Sequence, residues 1–144
     1  PRPPGTAPAT LPPAVLTTTD HQCQQGPHGY DAEPNRLGLK QDSPLIGPMT
    51  DACLNQAWLA NAAVHFLFLS DLKKLDSQWG PRGYRYLMLN AGRLGQELYL
   101  GATALGLGCC GIGAIYDTEA ANILALKKDT ALCYLVAVGP VKRR

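Results

Sequence analysis

Charge of either sign is nearly balanced in this chain. Thirteen Lys and Arg stand against 11 Asp and Glu, a net of +2, and only Lys142-Arg143-Arg144 forms a basic cluster. So weak a field excludes nucleic acid as the main partner. Histidine is scarce, 3 residues in 144, and none stands at ligand spacing from the cysteines at 23, 53, 109, 110 and 133, which include no C-x-x-C pair. A structural zinc site therefore has no support. An odd number of cysteines without a signal peptide points to a reducing compartment and a cytoplasmic protein. Uninterrupted apolar runs of about 18 residues, the length a membrane span needs, are also lacking. The longest apolar stretch is interrupted by Arg85, Asn90, Arg93, Gln96 and Glu97.

What is present is enough hydrophobic residue, 46%, for one domain of ordinary size. Residues 1–13 carry six prolines and almost no large apolar group, so they read as a tail or linker packed on nothing local. A proline-rich ligand for an SH3-like partner is the functional alternative. Beginning at Pro1 rather than methionine, the chain reads as processed or as a piece of something longer.

Turn and cap signals divide the chain into elements. Residues 14–18 suit a short edge strand, and the polar residues 21–29 a loop carrying His21 and His28. Residues 29–39 read as a hairpin, with Tyr30 on one arm and Leu37 and Leu39 alternating on the other. Ser43-Pro44 signals a helix start that Gly47-Pro48 would break, and a better helix spans 50–61, capped by Thr50 with Cys53, Leu54, Ala57, Trp58 and Ala60 inward. Residues 63–69 form a continuous apolar run bounded by turn signals, the pattern of a buried strand, with His65 a satisfied core or edge histidine rather than a catalyst. A short polar segment covers 71–78. Farther on, Asp117 is placed to cap a helix over 118–126, and 131–139 form a second buried strand.

Between them lies the stretch around which the rest is organised. From Gly83 onward, Tyr84, Leu87, Met88, Ala91, Leu94, Leu98, Ala102 and Leu105 recur at threes and fours, with further apolar residues on the other faces. A helix apolar around so much of its girth is expected to be the most buried element. Gly106-Leu107-Gly108-Cys109-Cys110-Gly111 comes next and matches G-x-G-x-x-G. That fingerprint binds a dinucleotide only where a strand enters the glycines and a helix leaves them, and here a helix enters. Gly106 or Gly108 instead reads as a helix stop, and Gly111 and Gly113 as places where something flat or bulky approaches the backbone. The adjacent Cys109 and Cys110 are small residues filling a tight elbow or, alternatively, a redox-active pair.

Arg82-Gly83-Tyr84-Arg85, Leu87, Leu89, Ala91-Gly92, Gln96, Leu98-Tyr99-Leu100, Ala102 to Gly108 and Ile112-Gly113 together resemble the signature of the nitroreductase-like flavoproteins, and within them the SagB-type dehydrogenases. The resemblance covers about residues 29–141. It implies an α+β fold: a mixed sheet flanked by helices, with a long buried central helix. It implies FMN as cofactor, hydride transfer through the flavin, a homodimer with the flavin at the subunit boundary, and a small-molecule or peptide substrate. Carried onto this sequence, Cys109, Cys110, Gly111, Ile112 and Gly113 would lie against the flavin, their small side chains letting peptide N–H groups reach it. Lys142, Arg143 and Arg144 would hold its phosphate.

The family's Arg-rich opening segment has no counterpart here, so residues 1–28 read as leader and loop and 29–144 as the C-terminal portion of the family domain. Gln78-Trp79 stands where azoline-oxidising members carry a Lys-Tyr pair, and neither side chain can act as a general base, leaving the catalytic residue unknown. The alternative function is a cofactor-free or truncated module serving as a binding or scaffold partner in a peptide-modifying complex.

Overall fold

A computed structural model describes residues 44–141 together with the strands at 13–17, 26–31 and 36–39. Its six strands form one sheet in the order β3-β2-β1-β4-β6-β5. These are β1 (Pro13–Thr17), β2 (Gly26–Asp31), β3 (Arg36–Leu39), β4 (Val64–Asp71), β5 (Gly108–Ile112) and β6 (Thr130–Gly139). Among the described residues four α-helices accompany them: α1 (Ile46–Ala52), α2 (Leu72–Trp79), α3 (Gly83–Ala104) and α4 (Asp117–Ile123). The fold is α+β, but the sheet is antiparallel at every pairing rather than mixed. The cause lies in the insertion of β6. Strands β4 and β5 run in the same direction, joined through α2 and α3, yet β6 lies between them and opposes both.

The hairpin forms as expected, with Tyr30 opposite Leu37 and Asp31 opposite Arg36, although His28 belongs to strand β2 rather than to a loop. The strand expected at an edge, β1, is internal, paired with β2 on one side and β4 on the other. Residues 1–12 and His21 lie outside the described residues.

Gly47-Pro48 does not break α1. Pro48 occupies the first turn, where its missing N–H would have had no partner inside the helix. Thr50 is no cap either: it is buried, and its hydroxyl donates to the Ile46 carbonyl at 2.8 Å. The single helix expected over 50–61 divides because Leu54 and Asn55 both take left-handed conformations, φ 58° and 54°. A 3₁₀ turn, Ala57–Asn61, comes after them. In α2 the cap is Asp71, whose carboxylate accepts the Lys74 N–H at 2.8 Å. Asp117, expected to cap α4, is its first residue, and with Glu119 it places negative charge at the positive end of the helix dipole.

Along β4, β6 and β5 both faces of the sheet are covered. On one, Leu67 of β4, Leu132 and Leu135 of β6 and Ile112 of β5 pack with Met49 of α1, Leu59 of the 3₁₀ turn and Ala120 of α4. On the other, Phe68, Val136 and Val138 pack against Leu87, Ala91 and Ala102 of α3. Strand β6, flanked on both faces, is buried without interruption from residue 135 to 139. It displaces α3 as the buried centre. Buried positions on α3 are Gly83, Leu87, Ala91, Gly95 and Ala102, a single stripe, while Tyr84, Met88, Leu89 and Leu100 are exposed. The expectation of a helix buried around its girth therefore holds for one side only.

Phe68 pairs with Tyr134 and Leu69 with Leu132, so β6 carries one residue, Cys133, that has no opposite number on β4. Such a bulge breaks the alternation of faces. Cys133 and Tyr134 consequently both pack toward α3, with Leu132 and Leu135 on the other face.

Candidate flavin-contact edge

Helix α3 ends in a Schellman turn. Leu107 N–H bonds to the Ala102 carbonyl at 2.8 Å and Gly106 N–H to that of Thr103 at 3.1 Å, with Gly106 at φ +69°. Gly106 is thus the helix stop, as its place in the sequence suggests. Beyond it the chain enters not an irregular elbow but strand β5, at the edge of the sheet, with Cys109 opposite Val138, Cys110 opposite Ala137 and Gly111 opposite Val136. Side chains alternate along it: Cys109 packs toward α3, while Cys110 and Ile112 pack toward the opposite cluster. Ile112 is 5% exposed and is a core residue.

The glycines differ in what surrounds them. A Cβ on Gly111 would fall 1.8 Å from the Tyr134 hydroxyl oxygen, so this glycine makes room for a tyrosine of the same chain. At Gly108 the neighbours are Val141 and the Gly139 carbonyl. Gly113, exposed, meets nothing within 4 Å. Of the two glycines expected as places of close approach, Gly111 is therefore occupied from within and Gly113 is open.

Gly111 N–H is also engaged: it donates to the Tyr99 phenol oxygen at 2.7 Å. It is not free to reach a ligand. Beyond Gly113 the chain is fastened again where Tyr116 N–H bonds to the Ala52 carbonyl at 2.8 Å, tying the start of α4 to the end of α1.

At the other end of β5 a cleft of about 310 Å3 opens, lined by Trp58, Asn61, Ala62, Gly108, Cys109, Cys110, Ala137, Gly139, Pro140 and Val141. It brings three of the elbow residues beside Pro140 and Val141, which lead directly to Lys142. Lys142, Arg143 and Arg144 themselves lie outside the described residues. Trp58, expected on an inner helix face, instead stands at this cleft, 47% exposed.

Two thiols here, Cys109 and Cys133, are held toward the protonated form. Burial, then the neighbouring Cys110, raises the Cys109 pKa, and burial carries Cys133 to about 11, with Asp117 adding to it. Tyr134 is raised too, by burial first and then by Tyr99 and the two thiols. His65 is fully buried, its Nε2 bonded to the Leu59 carbonyl at 3.0 Å. Since a carbonyl only accepts, Nε2 carries the proton and Nδ1 is left without a partner. Burial lowers its pKa, with the Leu59 bond opposing, so the ring is a neutral strut between β4 and the 3₁₀ turn. Among the described residues no cluster of His, Cys, Asp or Glu could hold a metal ion, and no helix is long and apolar enough to cross a membrane.

Sequence reasoning missed Tyr99 and Tyr134. Tyr99 stands in the resemblance signature and among the apolar positions of α3 with no role given to its hydroxyl, and nothing local ties Tyr134 to a glycine on the neighbouring strand.

The Nitroreductase family model matches residues 15–140, a span that includes the paired strand β1. The chain belongs to this family. A nitroreductase homologue from Methanocaldococcus jannaschii is 30% identical over 121 residues, covering 84% of this chain and 59% of the relative. A nitroreductase-like protein from Anabaena variabilis superposes with a TM-score of 0.86 at 30% identity, over 91% of this chain and 27% of its own. NADPH:FMN oxidoreductase from Vibrio harveyi, solved with NAD+, shares the fold at a TM-score of 0.61 and 16% identity, over 92% of this chain and 51% of that one. The chain thus spans little more than half the length of the archaeal relative and about a quarter of the cyanobacterial one.

Proposed function

We propose that this chain is the flavin-contacting part of an FMN-dependent oxidoreductase of the SagB-type branch, in a cytoplasmic homodimer. The observation that carries the reading is the pairing of an open Gly113 at one end of β5 with a cleft at the other that abuts the approach to Lys142. Five strand residues at about 3.3 Å each separate the two ends. Residues 106–116 contain no charged side chain, so β5 and the turn after it add no charge of their own against an anionic ligand, the first carboxylate being Asp117 of α4. The residues present fit the cofactor.

FMN, when bound, would supply the acceptance and delivery of a hydride equivalent. The chain's own part is position. Backbone at Gly113 would meet the ring system, Cys109 and Cys110 would border it with small side chains, and Lys142, Arg143 and Arg144 would hold the phosphate by charge and bidentate hydrogen bonds. The α3 residues left exposed, Leu89 and Leu100 among them, give a second copy an apolar surface to cover. Nitroaromatics and quinones as hydride acceptors, and peptide azolines as hydride donors, are all compatible with this edge as far as it constrains them.

FMN titration by fluorescence quenching into wild type, Gly113→Val and a chain ending at Val141 tests the reading. Gly113→Val should weaken binding at every ionic strength, by steric exclusion. Loss of the basic tail should weaken it in low salt and matter less in high salt. Gly111→Val is unsuitable, because the clash with Tyr134 would disturb the fold whether or not flavin binds. No saturable quenching by wild type would leave the binding-module reading in its place. Equal binding by Gly113→Val would move the flavin away from β5.

A further inference from the structure

Gly111 is held from two directions by two tyrosines that do different work. Tyr134, on β6, stacks on Phe68 with ring centroids 5.8 Å apart and fills the space that a side chain at Gly95 or Gly111 would need. It is a packing residue. Tyr99, on α3, is 36% exposed and reaches Gly111 through its hydroxyl, which accepts the N–H at 2.7 Å. An N–H on the free side of an edge strand has water available to it, so this bond is not required for solvation. What the phenol supplies is a fixed separation between strand and helix. Two residues later the chain arrives at Gly113, whose surroundings are open.

We propose that Tyr99 is a positioning residue for the cofactor edge: by accepting the Gly111 N–H it anchors the free edge of β5 to α3 and helps set where the backbone at Gly113, beyond the last pair with β6, stands. This rests on the flavin reading above. Between the Schellman turn at Gly106 and the Tyr116–Ala52 bond, β6 holds one edge of β5 from Gly108 to Ile112, and the Tyr99 hydroxyl adds a hydrogen bond on the other edge just before that pairing ends. With the hydroxyl gone, pairing to β6 and the Tyr134 packing persist, and the edge loses its tie to the helix alone.

Tyr99→Phe in the full chain keeps the ring and removes the acceptor. Three measurements decide the matter: amide hydrogen exchange at Gly111 in flavin-free protein, FMN affinity by quenching, and the melting temperature. We expect exchange at Gly111 to accelerate and FMN binding to weaken by about two- to tenfold, no more than one hydrogen bond is worth, with melting little changed. Unchanged exchange would overturn the anchor. Faster exchange with unchanged FMN affinity would overturn the positioning role while leaving the flavin reading intact. A fall in melting temperature large enough to explain the weaker binding would make Tyr99 a structural residue and overturn the proposal as well. Should wild type bind no FMN, the flavin reading fails and takes this role with it.

Discussion

The two faces of the sheet are closed by different means. One is sealed by short elements, α1, the 3₁₀ turn and α4, whose apolar residues largely go inward, as Met49, Leu59 and Ala120 do at 0% exposure. The other is covered by α3, 22 residues long, which gives the sheet one stripe and leaves Tyr84, Leu89 and Leu100 at 57%, 67% and 61% exposed. Hydrophobicity thus has two meanings in one chain. On the first face it records burial within the subunit, and on the second it exceeds what this subunit can bury. The exposed Arg93–Glu97 pair stands between Leu89 and Leu100 along the helix, so this surplus is a set of apolar side chains among charges.

Substitutions should separate the two meanings. The largest effect is expected at Leu135, fully buried on the first face: Leu135→Ala should cost about 2 to 5 kcal/mol in urea unfolding, from lost burial and the cavity left behind. Leu98, on the partly buried flank of α3, should lose less than Leu135 for the same change; equal losses would erase the distinction between the faces.

Next comes Gly111→Ala, where the new methyl collides with Tyr134, for roughly 1 to 3 kcal/mol. In a Tyr134→Ala background the added cost should shrink, the coupling expected of two residues in contact. Additive losses would place the ring elsewhere.

Acid tests the first face through His65. Its pKa is depressed in the folded chain, so below the unfolded value of about 6.5 the unfolded state binds the extra proton and stability falls as pH drops. The slope is at most about 1.4 kcal/mol per pH unit for one proton. Urea midpoints between pH 8 and pH 5 should decline in wild type and decline less in His65→Leu; identical slopes would assign the loss to other groups.

The smallest effect belongs to the outer stripe. Leu89→Ala and Leu100→Ala should change unfolding free energy by about 0.5 kcal/mol or less in a dilute, dissociated subunit. In sedimentation at higher concentration they should weaken self-association if a second copy covers α3. A full core-sized loss in the dissociated subunit would mean the stripe is buried after all.

How legible this was from the sequence depended on whether the signal was local. Strands β4 and β6 announce themselves as continuous apolar runs because each is covered on both faces, and the hairpin of β2 and β3 is set by its turn. Helix α3 was found from its period, but not its burial, since period records which side chains share a face and not what lies opposite. The break after α1 could not be read, because it depends on Leu54 and Asn55 both adopting left-handed backbone against the preference of leucine. At the candidate site the small residues of β5 were identified, but the sequence could not distinguish a glycine cleared for a ligand from one cleared for the chain's own tyrosine. That distinction depends on Tyr134, 23 positions away, and on the strand pairing that brings it alongside.

Cys133 makes this pairing tolerant of a change in length. It is the unmatched residue of β6, and the side chains on either side of it, Leu132 and Tyr134, already point to opposite faces. Deleting it would therefore restore regular alternation without moving any other residue of the strand to the wrong face, whereas a deletion at Leu135 or Val136 would invert everything on one side. Relatives that differ by a single residue in this strand should carry their gap between the counterparts of Leu132 and Tyr134.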